Sequence, residues 1–452
     1  MNYNDFIDTK QIVDQPTGID QLPDLSDHLF PFQADIVAWS LRRGRGAIFA
    51  DCGLGKTAMQ LEWARHVPGR VIIVAPLAVA AQTVREAEKF EIRGVRHLTG
   101  DARTTRVVVT NYEQLHKFDP SDFTGIVLDE SSILKSYTGK FRNQLIDDWG
   151  KLPWRLAATA TPAPNDFMEL GNHAEFLGAM TRTEMLSMFF VHDGGETQKW
   201  RLKGHAESEF WKWLCNWAVM IRKPSDIGHA DGDFILPDCD IHRVEVETHG
   251  AEDGHLFALP ASTLSERQSA RRDSVKERCA LAAGLANDTD RPFIAWCNLN
   301  TESAELCRLI PDAVEVTGSM SPAEKERRLE GFSSGKHRVI VTKPTIAGFG
   351  MNWQHCADMA FVGLSDSYEQ FYQALRRCWR FGQKRTVNAH VVTSSQEGAV
   401  VDNIRRKERD AEKMAAEMVR HMSDITKATI HGTQRNDRRY IPTERATTPA
   451  FL

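Results

Sequence analysis

Hydrophobic residues along this chain gather in short runs that are apolar at successive, not alternate, positions. Residues 46–49, 71–75, 106–110, 125–128 and 155–159 form one group; residues 292–296, 338–341, 359–363 and 388–392 form a second, much later one. Short runs apolar on both faces predict fully buried parallel strands. Helix-length amphipathic stretches separate them, among them 80–90, 301–310 and 321–332, the last opening with Ser321-Pro322 as an N-cap and first-turn pair. Strand and helix alternate, so both halves read as doubly wound α/β lobes.

Between about residues 180 and 235 the pattern becomes helical and aromatic, which predicts a helical extension of the first lobe. Phe210, Trp213, Leu214 and Trp217 share one helical face there, so they are expected to pack in the core and not to stack on bases. Turns near Pro224 and Pro237 mark the crossing to the second lobe, residues 397–422 read as a charged closing helix, and a polar tail follows. The expected division is a lead-in at 1–28, a first lobe at 29–179, the helical extension at 180–235, a second lobe at 236–425 and a flexible tail at 426–452.

Composition adds bounds. With 452 residues, 42% of them hydrophobic, the chain can bury ample core in two or three domains. The net charge of -5 gives no global positive field, so any nucleic-acid surface must be local. The eight cysteines are scattered without a CxxC pair, as free thiols in a reducing cytosol would be, and no structural metal is expected. The sixteen histidines form no HxxxH or HExxH arrangement. Residues 1–27 are acidic without an apolar leader core, and no stretch approaches the ~18 to 20 apolar residues of a membrane span, so a cytoplasmic protein with no membrane partner is expected.

The chemistry starts at residues 46–57. A strand runs into Ala50-Asp51-Cys52-Gly53-Leu54-Gly55-Lys56-Thr57, and a helix follows. Such a loop turns backbone N–H groups at a helix N-terminus toward phosphate oxygens, while Lys56 neutralises β/γ charge and the Thr57 hydroxyl suits Mg²⁺. About seventy residues on, the run 126–128 ends in Asp129-Glu130-Ser131-Ser132, expected at the end of the neighbouring strand. Beside such a loop, Asp129 suits Mg²⁺ through its water shell, and Glu130 suits the proton of an attacking water.

The form AxxGxGKT, with Ala50 in place of the first glycine, resembles the superfamily-two helicases, and from about residue 29 to 394 the motifs resemble the Swi/Snf family in order. Leu29-Phe30-Pro31-Phe32-Gln33 is similar to LRPYQ, which implies Gln33 as adenine reader; Val74-Ala75-Pro76-Leu77 and Val109-Thr110-Asn111-Tyr112-Glu113 resemble two elements that lie along the DNA backbone in that family. Thr159-Ala160-Thr161-Pro162, with Asn165 and Glu169-Leu170, resembles motif III, which couples hydrolysis to lobe movement. Ile221-Arg222-Lys223-Pro224 before Leu236-Pro237 resembles the interlobe passage, and Thr317-Gly318-Ser319 the DGS turn.

Residues 348–352, Gly-Phe-Gly-Met-Asn, resemble GxGxN of motif V and put Gly350 at the nucleotide; residues 373–383 resemble QAxxRxxRxGQ of motif VI. The spacing of Arg377 and Arg380 suggests one helical face, delivered from the opposite lobe, with Arg380 as arginine finger and Arg377 as its partner. Arginines so spaced are otherwise an ordinary solvated face; Gln373 and Gly382-Gln383 decide the matter. Ser132 stands where the family usually has His, and Asp51-Cys52 replaces Glu-Met. A compact chain with this Asp-Glu-Ser-Ser box resembles the Swi/Snf-like helicases of bacteriophages.

The resemblance implies two RecA-like P-loop lobes with parallel sheets, plus the helical insertion and C-terminal helix. It implies an ATP- and Mg²⁺-dependent motor on DNA, expected to be double-stranded and held without base readout. Catalysis falls to Lys56, Glu130, Arg377 and Arg380, nucleotide binding to Gln33, Gly53, Gly55, Lys56, Thr57, Asp129 and Gly350, and Mg²⁺ to Thr57 and Asp129. A strand-separating helicase for DNA or RNA stays open, as does a motor subunit docked to a nuclease or replication protein. Basic clusters at Arg42, Arg43 and Arg45, at 267–278, at 325–328 and at 376–385 are candidates for a backbone-tracking groove.

Overall fold

A computed structural model describes residues 16–100, 105–135, 139–192, 200–246, 272, 274–347, 351–365, 367–394 and 398–430. In the first half the strands are β1 (Arg45–Ala50), β2 (Val71–Ala75), β3 (Val95–His97), β4 (Val107–Asn111), β5 (Gly125–Asp129) and β6 (Trp154–Thr159). Next come an antiparallel ribbon of β7 (Phe190–His192) and β8 (Trp200–Leu202), then β9 (Ala218–Ile221). Seven of these form one parallel sheet in the order β3-β4-β2-β5-β6-β1-β9. In β2, β4, β5 and β6 every residue is buried, as strands covered by helices on both faces must be.

Two details differ from the sequence reading. The acidic strand β5 is not the neighbour of β1, because β6 lies between them, so the strand after Glu130 in the chain separates the two phosphate-site strands by about 10 Å of sheet. Residues 180–235 carry helices Arg182–Phe189 and Glu207–Trp217, and in addition β9, which closes the first sheet beside β1.

The second lobe is a six-stranded parallel sheet in the order β10-β15-β14-β11-β13-β12, built from β10 (Cys239–Val246), β11 (Phe293–Cys297), β12 (Ala313–Val316), β13 (Val339–Thr342), β14 (Asp358–Val362) and β15 (Val387–Ser394). Helix Pro322–Ser333 starts as its sequence predicts, with the Ser321 side chain accepting a hydrogen bond from the Glu324 N–H and Pro322 at the first position.

The closing helix runs Gly398–Ile430, so the chain is helical past the expected start of the tail at 426. Its first part, Val400 and Ile404, joins the core of the second lobe, whereas Met414, Ala415, Met418 and Met422 join the core of the first. Helix Glu207–Trp217 lies beneath that second part, with the Cys215 Sγ 3.6 Å from the Met418 carbonyl. It is therefore covered on two sides: Trp217 packs inward as expected and Trp211, off the predicted face, is fully buried too. Among the described residues no helix is long and apolar enough to cross a membrane.

Candidate active site

The carboxyl ends of parallel strands are where an α/β sheet presents its ligand sites, and every described candidate lies there or faces it. β1 ends at Ala50, and residues 51–55 turn into helix Lys56–His66. Two glycines make that turn possible, Gly53 at φ 91° and Gly55 at φ 79°. At Gly55 a side chain is also excluded by space, because its Cβ would fall 2.3 Å from the Gln33 Nε2. Gln33 itself is buried, donates to the Leu54 carbonyl at 2.9 Å and accepts from the Phe30 N–H at 3.0 Å, so it braces the loop from helix Pro31–Arg43.

Lys56 reaches back over the loop, its Nζ 2.8 Å from the Ala50 carbonyl and 3.4 Å from that of Asp51. Thr57 follows as the second residue of the helix, half-buried. Asp129 closes β5 with one carboxylate oxygen 2.7 Å from the Gln60 Nε2, and its carbonyl accepts the Tyr112 hydroxyl at 2.6 Å. Glu130 adopts φ 53°, the left-handed region that a non-glycine residue rarely occupies. Its Oε2 then accepts from the Thr159 hydroxyl at 3.2 Å, and the Thr161 N–H donates to that hydroxyl at 3.1 Å. The intervening strand β6 thus delivers the motif III threonine directly onto Glu130.

Burial raises both carboxyls, Asp129 against the pull of Gln60 and Lys56, and Glu130 to about 7 with the neighbouring Asp129 adding to the effect and Lys56 and Arg377 opposing it. Ser132, which stands where the resembled family is expected to carry His, is buried, and it is Ser131 that meets a histidine, its Oγ 3.0 Å from the His173 Nε2. Burial pulls His173 down to about 4, so it stays neutral and structural.

From the second lobe, helix Tyr368–Leu375 stops before the arginines. Arg377 and Arg380 therefore lie in the turn after it, and not on one helical face as their spacing suggested. Both converge on one acceptor: the Arg377 Nη1 and the Arg380 Nη1 each donate to the Met351 carbonyl at 3.1 Å, while the Arg377 Nη2 is 3.0 Å from the Gln373 Oε1. Their turn packs onto the phosphate loop, since a Cβ on Gly53 would sit 2.9 Å from the Phe381 nitrogen and 3.4 Å from the Arg380 Cβ. Burial and the nearby Arg377 bring Arg380 down to about 10, still charged at neutral pH. Gly350 lies outside the described residues.

The fold thus brings Gln33, Gly53, Gly55, Lys56, Thr57, Asp129, Glu130, Arg377 and Arg380 to one cleft between the lobes. Sequence reasoning missed Arg376, which fills an unspecified position of the motif VI pattern, and Tyr372; both reach the loop residue Asp51. The signal that could have found them is a third arginine inside the motif VI stretch, set against an acidic residue in the loop, Asp51.

A hydroxyl, a carboxylate and a loop of turned N–H groups are the donors a phosphate with a hard cation requires. The Lys56 ammonium, bonded among the described residues to loop carbonyls, can exchange them for phosphate oxygens, so these residues fit a nucleoside triphosphate and Mg²⁺.

Fold and site define a two-lobed α/β protein, and residues 278–382 in its second lobe match the helicase conserved C-terminal domain. Among solved structures the chain is similar to the Sulfolobus solfataricus SWI2/SNF2 ATPase core in complex with dsDNA, at 15% identity, over 91% of this chain and 98% of that one, with a TM-score of 0.43. No curated protein matches it.

Proposed function

We propose that this chain is a DNA-dependent ATPase, a translocase that hydrolyses ATP to drive movements of its two lobes along duplex DNA. The observation that carries the reading is the packing of the Arg377–Arg380 turn of one lobe onto the phosphate loop of the other. Lys56 and the loop N–H groups hold the phosphates, with Gln33 beside the base. Thr57 and Asp129 would hold Mg²⁺, which supplies charge neutralisation at the phosphates. Glu130 takes the proton of the attacking water, oriented by the Thr159 hydroxyl at 3.2 Å. Arg380, seconded by Arg377, stabilises charge that develops on the transferred group, and does so only while the lobes are docked.

The elements resembling the DNA-tracking motifs end β2 and β4 on the same carboxyl edge as the loop, and Leu77 there is 63% exposed. The test is ATP hydrolysis by the isolated protein with and without duplex, single-stranded DNA and RNA. Stimulation by duplex at least equal to that by single strands supports translocation. Strand release from forked substrates, or a marked RNA preference, would assign a helicase instead, and a rate indifferent to nucleic acid would assign a motor that depends on a protein partner.

A further inference from the structure

The phosphate loop is gripped from the opposite lobe by a residue with no part in the roles above. Arg376 is 2% exposed; its Nη2 lies 2.9 Å from the Cys52 carbonyl and 2.7 Å from the Asp51 Oδ2. Tyr372, one turn earlier, donates its hydroxyl to the other oxygen of the same carboxylate. The guanidinium lies 4.8 Å from the Trp379 ring and 5.7 Å from that of Tyr372. On the loop side Asp51 is fixed as well, its N–H donating to the Ile221 carbonyl at 2.9 Å and its Oδ1 accepting from the Cys52 N–H at 2.6 Å. A second bridge, from Lys135 just after the Asp129-Glu130 pair to the buried Glu369, crosses the same interface.

A buried arginine whose charge is met by one carboxylate is costly to strand, because neither ion is rehydrated while the lobes stay together. Parting the lobes at this point exposes both ions at once. Docking and the pair are therefore linked: the lobes come together with the pair made, or they separate there. Arg376 also precedes Arg377 and stands four residues before Arg380 on one tight turn, so whatever fixes Arg376 on the loop fixes where those two side chains start.

We propose that Arg376 and Asp51 form an interlobe latch, in which Arg376 is a positioning residue that sets the phosphate loop in register with Arg377 and Arg380. The part concerning turnover rests on the ATPase reading; the docking part does not. Deuterium exchange of the nucleotide-free full-length protein measures docking directly. In Arg376→Met the amides of residues 51–55 and 368–381 are expected to exchange about tenfold faster, with β2 and β14 unchanged, and Asp51→Asn gives a smaller rise in the same segments.

With saturating ATP and DNA, turnover falls about tenfold in Arg376→Met and stays low in Asp51→Asn/Arg376→Met, while KM for ATP rises in the single variant alone, where the unpaired carboxylate repels phosphate. A purely structural role would not restore KM in the double variant. Should Arg376→Met fail to fold, Asp51→Asn decides: faster exchange in the two segments supports the latch, and unchanged exchange overturns it. Turnover of the double variant within twofold of the parent overturns the positioning role. A parent with no ATPase activity overturns the proposed function and leaves the exchange result to decide the latch.

Discussion

At Glu130 a conformational cost falls on the residue proposed as the base. Its φ of 53° costs on the order of 1–3 kcal/mol for a side chain of this size, and the conformation aims the carboxylate at Thr159. Replacing it with glutamine keeps the shape and removes the proposed base, so Glu130→Gln should lower ATP turnover by roughly 10² or more, as should Lys56→Ala through loss of the charge proposed to meet the phosphates. Both variants should keep the parent's thermal transition, because these groups line a cleft and not a core; a turnover near the parent's in a phosphate-release assay would remove Glu130 from the mechanism. Arg380→Ala makes the complementary case. Turnover should fall by on the order of 10³ while ATP affinity survives, because Lys56 and the loop remain in the first lobe and only charge stabilisation from the second is lost. Binding measured by titration, set beside steady-state hydrolysis with saturating DNA, separates the two; a drop of only a few-fold in turnover would refute the finger.

At the scale of elements, what the sequence made legible follows burial. Central strands such as β2, β5 and β11 are apolar on both faces and stand out from single runs, whereas β3 and β10 lie at sheet edges with half or more of their residues toward solvent, and β9 follows Trp217 without a break, so it reads as more helix. The Arg377–Arg380 pair stood out in sequence but was misplaced as structure: no proline or glycine stops helix Tyr368–Leu375, and the contacts made just after it, Arg376 to Cys52 and Arg377 to Met351, join residues far apart in sequence. Strand order is likewise a matter of tertiary packing, which is why β6 between β1 and β5 could not be read from spacing. The closing helix yields a prediction at this scale. Its distal turns complete the core of the first lobe through Met414, Met418 and Met422, and the Met422 sulfur accepts the Met220 N–H at 3.0 Å. Met418→Ala should therefore destabilise the first lobe by about 2–5 kcal/mol, a core truncation and not a surface change; a loss under about 0.5 kcal/mol in denaturant titration would show that this helix end is peripheral.

For the whole molecule the proposed DNA partner has to be reconciled with a net charge of -5. Of the basic residues visible in sequence, Arg267 and Arg271 lie outside the described residues, and most of the described ones turn out to be engaged elsewhere. Arg42, Arg43 and Arg45 lie at the amino end of β1, about 20 Å of strand away from the phosphate loop. Arg327 and Arg328 pair with Glu324 and hold its carboxyl down to about 2; Arg278 is buried against Glu302 at 2.8 Å; Arg376, Arg377 and Arg380 face the cleft. Among the described residues, a DNA path along the carboxyl edge would thus rely on few lysines and arginines and on backbone and polar contacts, which add affinity without adding charge. The expected result is duplex-stimulated hydrolysis with a shallow salt dependence: log affinity should fall linearly with log salt at about 0.9 per phosphate neutralised, with a slope of about 2 to 4 and not the roughly 10 of a strongly basic repressor. Measuring the DNA concentration for half-maximal ATPase from low to high salt gives that slope. A steep slope would mean that the sequence clusters do form the groove after lobe rearrangement, and complete indifference to salt and DNA together would show that this interface does not bind the phosphate backbone at all.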